Sequence, residues 1–418
     1  MQSFRFQKTV LTADDPRLAA ALASAYADKQ RPICACTPEG VAMYVAHVGD
    51  RHIVKRMPNS GSHHHPDCES FEPPAELSGL GEVTGAAIQE DIESGLTTLK
   101  LDFSLSKTGR RAAPVTTGAE AESVRTDGSK LTLRGTLHYL WEQAGLNRWT
   151  PAMDGKRSWY VVQKHLMQAA SNKATKGDAL DSILFIPEQF SVERKDDILR
   201  RRLAKLSRVS APTQGTHKLM MLIGEVKHIE PSRYGHKLVV KHLPDMPFMV
   251  AEDLHKRLGK RFANDLALWD ADESTHLVVV GTFGFNSAGI ASIEEMALIV
   301  TTANWIPVEH VHDMQLLDAL TKAGRRFTKG LRYNLASTRP LASAVLSDTT
   351  PRTVALYVVP PNAGDEYERA LADLVKESDF ASWIWRSGEA AMPELPSLHD
   401  YEPATSELME TQNEPLDA

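Results

Sequence analysis

No stretch of this chain approaches the roughly 18 uninterrupted apolar residues that a membrane-spanning helix requires, so a helical membrane protein is excluded. The opening MQSFRFQKTVLTADDPR carries positive charge with no long apolar segment behind it. No secretory signal is therefore expected, and the expected compartment is the cytoplasm. The Gly-x-x-x-x-Gly-Lys-Ser/Thr phosphate loop, the Gly-x-Gly-x-x-Gly turn after a strand and the Gly-x-Ser-x-Gly elbow are all missing, which removes the chemistries those turns support. Lysine and arginine are absent from Ser387 onward, while Glu389, Glu394, Asp400, Glu402, Glu407, Glu410, Glu414 and Asp417 lie there among four prolines. That composition cannot bury enough apolar surface to fold alone, and residues 389–418 are expected to be a disordered acidic tail.

What is present is ordinary for a globular protein: 42% apolar and 24% charged residues over 418 positions, with a net charge of −7. The length exceeds one compact core and points to about two to four domains. Much of the negative charge sits in the tail, so the remainder is close to neutral and has room for local basic surfaces.

Cysteine is scarce, and its placement is informative. All three cysteines, Cys34, Cys36 and Cys68, fall close together, where random placement would scatter them. Reducing compartments disfavour disulfides, so clustered thiols there point to a metal. Between them, VAMYVAHVGDRHIVKRM reads as two strands around the turn pair Gly49-Asp50. Such a hairpin would return Cys-x-Cys to the side of the run His63–His65. Zn²⁺ takes four soft or borderline ligands in a tetrahedron, and three thiolates with one imidazole form a closed set. Cys34, Cys36, His64 and Cys68 are the expected ligands, with His65 the alternative to His64. With no open position, the one zinc ion would be structural.

The runs RPICACTPEGVAMY, VKRMPNSGSHHHPDC and FEPP, with WIPVEHVHD, RRFTKGLRYNL and SGEAAMPELP further on, resemble an uncharacterised bacterial family, domain of unknown function 1173. The resemblance runs from about Arg31 to Pro396. It supports the zinc ligands and implies a setting on plasmids and integrative conjugative elements, with no established activity.

The expected fold class is α+β and multidomain. Residues 1–75 form the zinc module, and 76–130 hold linkers around one strand, LTTLKLDFSLSK. In 131–210, helices are expected over Leu131–Leu146 and Trp159–Ser171, a small helical subdomain or a winged helix. Residues 211–309 read as β-rich: KLMMLIGEVKHIE and HKLVVKHL form a hairpin across PSRYG, then MPFMVA, THLVVVGTFGF and IEEMALIVTTANWIPVE follow. His228, His236 and His242 lie on or near these strands without the spacing of a second metal set.

Over 310–388 the order is helix, strands LRYNL, LASAVLSD and TVALYVV, a helix, and the strand ASWIWR. That order is similar to the PD-(D/E)xK restriction-endonuclease core, which holds Mg²⁺ on an acid of its second strand and a Glu-x-Lys of its third. Here Leu356 and Val358 occupy the third-strand positions and only Asp348 stands near the turn, so no catalytic residue is expected. A Glu-x-Lys occurs elsewhere, Glu225 and Lys227, with Asp196 and Asp197 in a charged helix upstream; alternating charge on an exposed strand face explains it. Arg200–Arg202, Arg325, Arg326, Lys329 and Arg332, with Lys156, Arg157, Lys164, Lys173 and Lys176, are candidate phosphate contacts. The expected role is a non-catalytic, zinc-stabilised accessory protein of a mobile element that binds DNA, RNA or another protein. The rival is a metal-dependent nuclease using Glu225 and Lys227 or Asp348.

Overall fold

The computed structural model describes residues 2–7, 9–48, 51–108, 128–209, 216–286 and 288–399. The turn pair Gly49-Asp50, most of the second linker and the tail from residue 400 lie outside the described residues. None of the described helices is long and apolar enough to cross a membrane.

The N-terminal module is a five-stranded sheet in the order Thr9–Thr12, Ser3–Phe6, Ile33–Cys34, Val41–Val48, Arg51–Arg56. The last two strands are the expected hairpin, with Val48 opposite Arg51. The alanine-rich helix Leu18–Ala27, a sequence of high helix propensity, packs Leu22 and Ala25 with Val45.

All five β segments read in 211–309 form, and they close on one another. Met220–Ser232 pairs through its first half with His276–Phe285 and through its second half with Gly235–Val240. Gly235–Val240 pairs Phe248–Val250, which lies parallel to Ala291–Thr301, which returns to His276–Phe285. Numbered in chain order, the closed barrel runs 1-2-3-5-4 and back to 1. The helices Glu252–Arg261 and Ala263–Ala271 connect strands 3 and 4. Gly224 lies where the first strand coils tightly, since a Cβ there would sit 2.5 Å from Val240 Cγ1.

The helices expected in 131–210 form as Leu133–Gln143, with Thr132 accepting a hydrogen bond from Gly135 N at its start, and Trp159–Ala170. Leu137, Leu140, Trp141, Val162 and Leu166 are fully buried in the same cluster as the barrel strands. After them come the antiparallel pair Lys173–Thr175 and Asp178–Ala179, whose first strand also lies parallel to Thr97–Leu99, and then Leu184–Phe185, which joins the first barrel strand in parallel. These helices clad the barrel.

The C-terminal sheet runs Ala381–Arg386, Val354–Val359, Ala344–Leu346, Phe327–Lys329, and then Arg148–Trp149 from far upstream. The helix Val311–Lys322 covers one face through Leu316, Leu317 and Leu320, against Leu356 and Val358. The helix Asp365–Glu377 covers the other through Tyr367 and Leu371, against Ala355, Tyr357 and Val359. This explains why Val354–Val359 is apolar throughout: a strand buried on both faces does not alternate.

Three expectations are corrected. LRYNL is a turn, with Tyr333 at φ +48°, and the strand of that region is Phe327–Lys329. LTTLKLDFSLSK breaks into Thr97–Leu99, a bridge at Leu101 and Ser106–Thr108, each pairing differently. Residues 389–399, expected to be disordered, are packed. Trp385 Nε1 donates to Ala390 O and Trp383 Nε1 to Glu394 O, and Met392 and Leu395 lie against the tryptophan-bearing core. Backbone carbonyls and two apolar anchors hold this strap, so its acidic composition was a poor guide.

Candidate metal centre

Cys34 ends a short strand that pairs Phe4 on one side and Val41 on the other, which fixes its position within the sheet. Cys36 follows on a turn closed by Gly40. The φ of +75° there, with a Cβ that would fall 2.3 Å from Ile33 Cγ2, requires glycine. After the hairpin, the short 3₁₀ turn Gly61–His63 hands the chain to His64, and a further turn places Cys68, whose N–H donates to His65 O.

The ligand atoms of Cys34, Cys36, His64 and Cys68 all lie within 4.8 Å of one another and could hold a metal ion. Cys34 Sγ is 3.7 Å from Cys68 Sγ, too far for a disulfide. His64 Nδ1 is 3.3 Å from Cys36 Sγ and 3.7 Å from Cys68 Sγ. A tetrahedral Zn²⁺ with Zn–S of about 2.3 Å and Zn–N of about 2.0–2.1 Å spaces its sulfurs about 3.8 Å apart and sulfur from nitrogen about 3.5 Å apart. The donor types suit that tetrahedron, and these three separations fit its spacing.

The histidine choice follows from burial. His64 is 2% exposed and turns Nδ1 to the thiols. His65 is exposed and accepts from Asp67 N at 3.2 Å. His64 Nε2 is buried with no hydrogen-bond partner among the described residues. Gln2 and Ser70, which the sequence did not single out, form the outer support. Gln2 Nε2 donates to Ser70 Oγ at 2.6 Å and lies 3.8–3.9 Å from Cys68 and Cys34 Sγ, and Ser70 N donates to Cys68 Sγ. Nothing local marks Gln2; the first strand brings it there. The hydrogen bond Cys34 shares with Cys68 pushes the Cys34 thiol up and pulls Cys68 down, and burial raises Cys36. A bound dication would favour ionisation of all three thiols.

The other candidate residues do not converge on a second site. Asp348 is buried, with Arg325 Nη2 at 2.9 Å and Arg326 N donating at 2.6 Å. Glu225 is also buried, which corrects the exposed-face reading. It accepts from Lys241 Nζ and contacts His276 Nδ1, each at 2.6 Å, and these two partners hold its carboxyl low against the upward push of burial. A β-bulge between Val226 and His228 separates it from exposed Lys227. Asp196 and Asp197 are exposed on the helix Lys195–Leu206.

Most of the expected phosphate-binding cations are committed internally. Arg200, Arg201 and Arg202 pair with Asp197, Glu188 and Asp245. Arg326 pairs with Asp67 at 2.5 Å, buried Lys329 lies 3.3 Å from buried Asp313, and Arg332 grips Glu309 at 2.6 Å. Arg157 and Lys173 are tucked inside; Arg157 donates to Leu146 O and Asn304 O, and Lys173 donates to Asn172 Oδ1.

A barrel clad in helices, a two-faced α/β sheet and a Cys₃His cluster together define a mixed α+β protein with a candidate metal centre outside its main cores. The chain belongs to the protein family of unknown function DUF1173, which matches residues 4–388. No curated protein and no solved structure gives a significant match.

Proposed function

We propose that Cys34, Cys36, His64 and Cys68 bind one structural Zn²⁺, and that the protein is a non-catalytic accessory factor of a mobile element that binds nucleic acid. The closed set of three sulfurs and one nitrogen at tetrahedral spacing carries the metal reading, because a fourth protein ligand leaves no position for substrate. Binding in place of cleavage is supported by the carboxylates. Glu225 and Asp348 are each neutralised by their own cations, and Leu356 and Val358 are buried where a nuclease-like core would carry its acid and lysine. A strand of that kind offers no oxygen to a hard cation.

Metal analysis of protein purified without chelator tests the first half: one zinc per chain is expected, and none would overturn it. Incubation of DNA or RNA with the protein and Mg²⁺ or Mn²⁺ tests the second, and the nucleic acid should survive. Cleavage that disappears in Asp348→Ala or Glu225→Ala would install the nuclease reading instead.

A further inference from the structure

The barrel has the 1-2-3-5-4 order, the parallel pairing of strands 3 and 5 and the helical link between strands 3 and 4 that characterise an OB-fold. In such barrels ligands lie across strands 2 and 3 and against the loop joining strands 1 and 2. Fold alone assigns no ligand, so the chemistry of that face decides.

Val226, Leu238 and Val240 are fully buried and point into the barrel. Alternation along the strands therefore turns Glu230 and Lys237, which oppose each other, outward. Lys227 occupies the bulge and is exposed; bulges re-aim side chains in this way. Met249, opposite Lys237 on strand 3, is half-buried and gives the face an apolar floor. The loop between strands 1 and 2 is Arg233-Tyr234. Tyr234 is 76% exposed, the highest value for a large apolar or aromatic side chain among the described residues, and the Arg233 guanidinium lies 5.2 Å from its ring centroid. Among the described residues, the second half of strand 1, from Val226 to Ser232, pairs only with strand 2, leaving its other edge without a strand partner. Lys227, Arg233 and Lys237 thus face outward with Glu230, while Glu252 just past the end of strand 3 lies 3.4 Å from His236, on a chain whose net charge is −7.

We infer that this face binds single-stranded nucleic acid, the cations tracking phosphates and Tyr234 stacking on a base. The inference rests on the binding role proposed above and locates it. Stacking platforms combined with basic grooves are how single strands are held without base-edge reading.

The test is fluorescence anisotropy of a labelled oligothymidylate of about 15 nucleotides with the full-length protein, across a salt series. Tyr234→Ala should weaken binding about tenfold or more, the scale of one stacked base. Lys227→Gln with Lys237→Gln should lower the slope of log affinity against log salt by about 1 to 2. Lys322→Gln with Lys376→Gln, exposed on the helices of the C-terminal sheet, should leave binding unchanged. Zinc content and circular dichroism confirm that each variant is folded. Binding that survives the face variants overturns this assignment and leaves the binding role standing. No binding at low salt overturns both and points to a protein partner, with the zinc reading untouched. Equal affinity for duplex overturns the single-strand preference.

Discussion

At the scale of single residues, the runs WIPVEHVHD and RRFTKGLRYNL meet. Glu309 and Arg332 form a largely buried bidentate pair, and Lys329 reaches Asp313. Tyr333 N donates to His138 Nδ1 at 2.9 Å, and Asn334 Oδ1 accepts from Thr132 N. These contacts join the C-terminal sheet to the helix Leu133–Gln143. Burial would raise the Glu309 carboxyl, but Arg332, then Lys329, hold it far below the usual carboxylate range. Arg332→Ala leaves that carboxylate buried without its main partner, so a loss of about 3–5 kcal/mol is expected in urea unfolding. A loss below about 1 kcal/mol would mean the pair is solvated and dispensable. Arg325, Arg326, Lys329 and Arg332 looked like phosphate contacts because their partners, Asp348, Asp67, Asp313 and Glu309, are distributed along the chain. Which carboxylates fold back onto them is a tertiary fact.

At the scale of elements, the loop that carries His64 and Cys68 also docks the N-terminal module. Asp67 meets Arg326, Arg148 donates to Glu69 O and to Glu72, and Arg56 also pairs with Glu72. Arg148 and Arg326 flank the short strands at the end of the C-terminal sheet. Ligation of a metal would fix the loop that carries these acids, so that folding of the module and its docking would share one source of free energy. Cys68→Ser should abolish metal binding and open the 57–74 segment to protease, while the barrel and the C-terminal sheet stay resistant. Cleavage spread over the whole chain would show that the module has no separate stability.

The strand Lys173–Thr175 gives a pH prediction. Lys173 is 3% exposed, and burial, aided by Lys55, lowers its amine to about 7. Between that value and the ordinary lysine range the unfolded chain holds a proton that the native state lacks, so this residue makes stability rise with pH through the window. It contributes nothing further to the pH dependence once pH falls below the native value. Urea titrations from pH 7 to pH 10, values spanning the window, should show a rise in the wild type that is smaller in Lys173→Met. Equal slopes in the two proteins would place the ammonium in water.

For the whole molecule, local pattern and global closure were legible to different degrees. The five barrel strands could be read because each is an apolar run bounded by turns, and Arg233-Tyr234-Gly235 marks a hairpin. Their closure could not, since Met220–Ser232 and His276–Phe285 pair across two intervening strands and two helices. The helices of 131–210 were visible in their periodicity, but their common core with the barrel was not, because an apolar stripe does not name what it packs against. The C-terminal element order was readable, with its first strand displaced from LRYNL to Phe327–Lys329, since an alternating pattern does not reveal a left-handed turn at Tyr333. The candidate metal cluster was the most legible feature: three thiols in 418 residues, all near one histidine run, leave few arrangements. Only the geometry separates His64 from His65.

X-ray absorption at the zinc K-edge of the purified full-length protein tests that centre most directly, because it reports both the metal and its donors. The expected spectrum is a four-coordinate shell of three sulfurs at about 2.3 Å and one imidazole nitrogen at about 2.0–2.1 Å. A shell dominated by oxygen, or a protein that carries no zinc, would contradict the account.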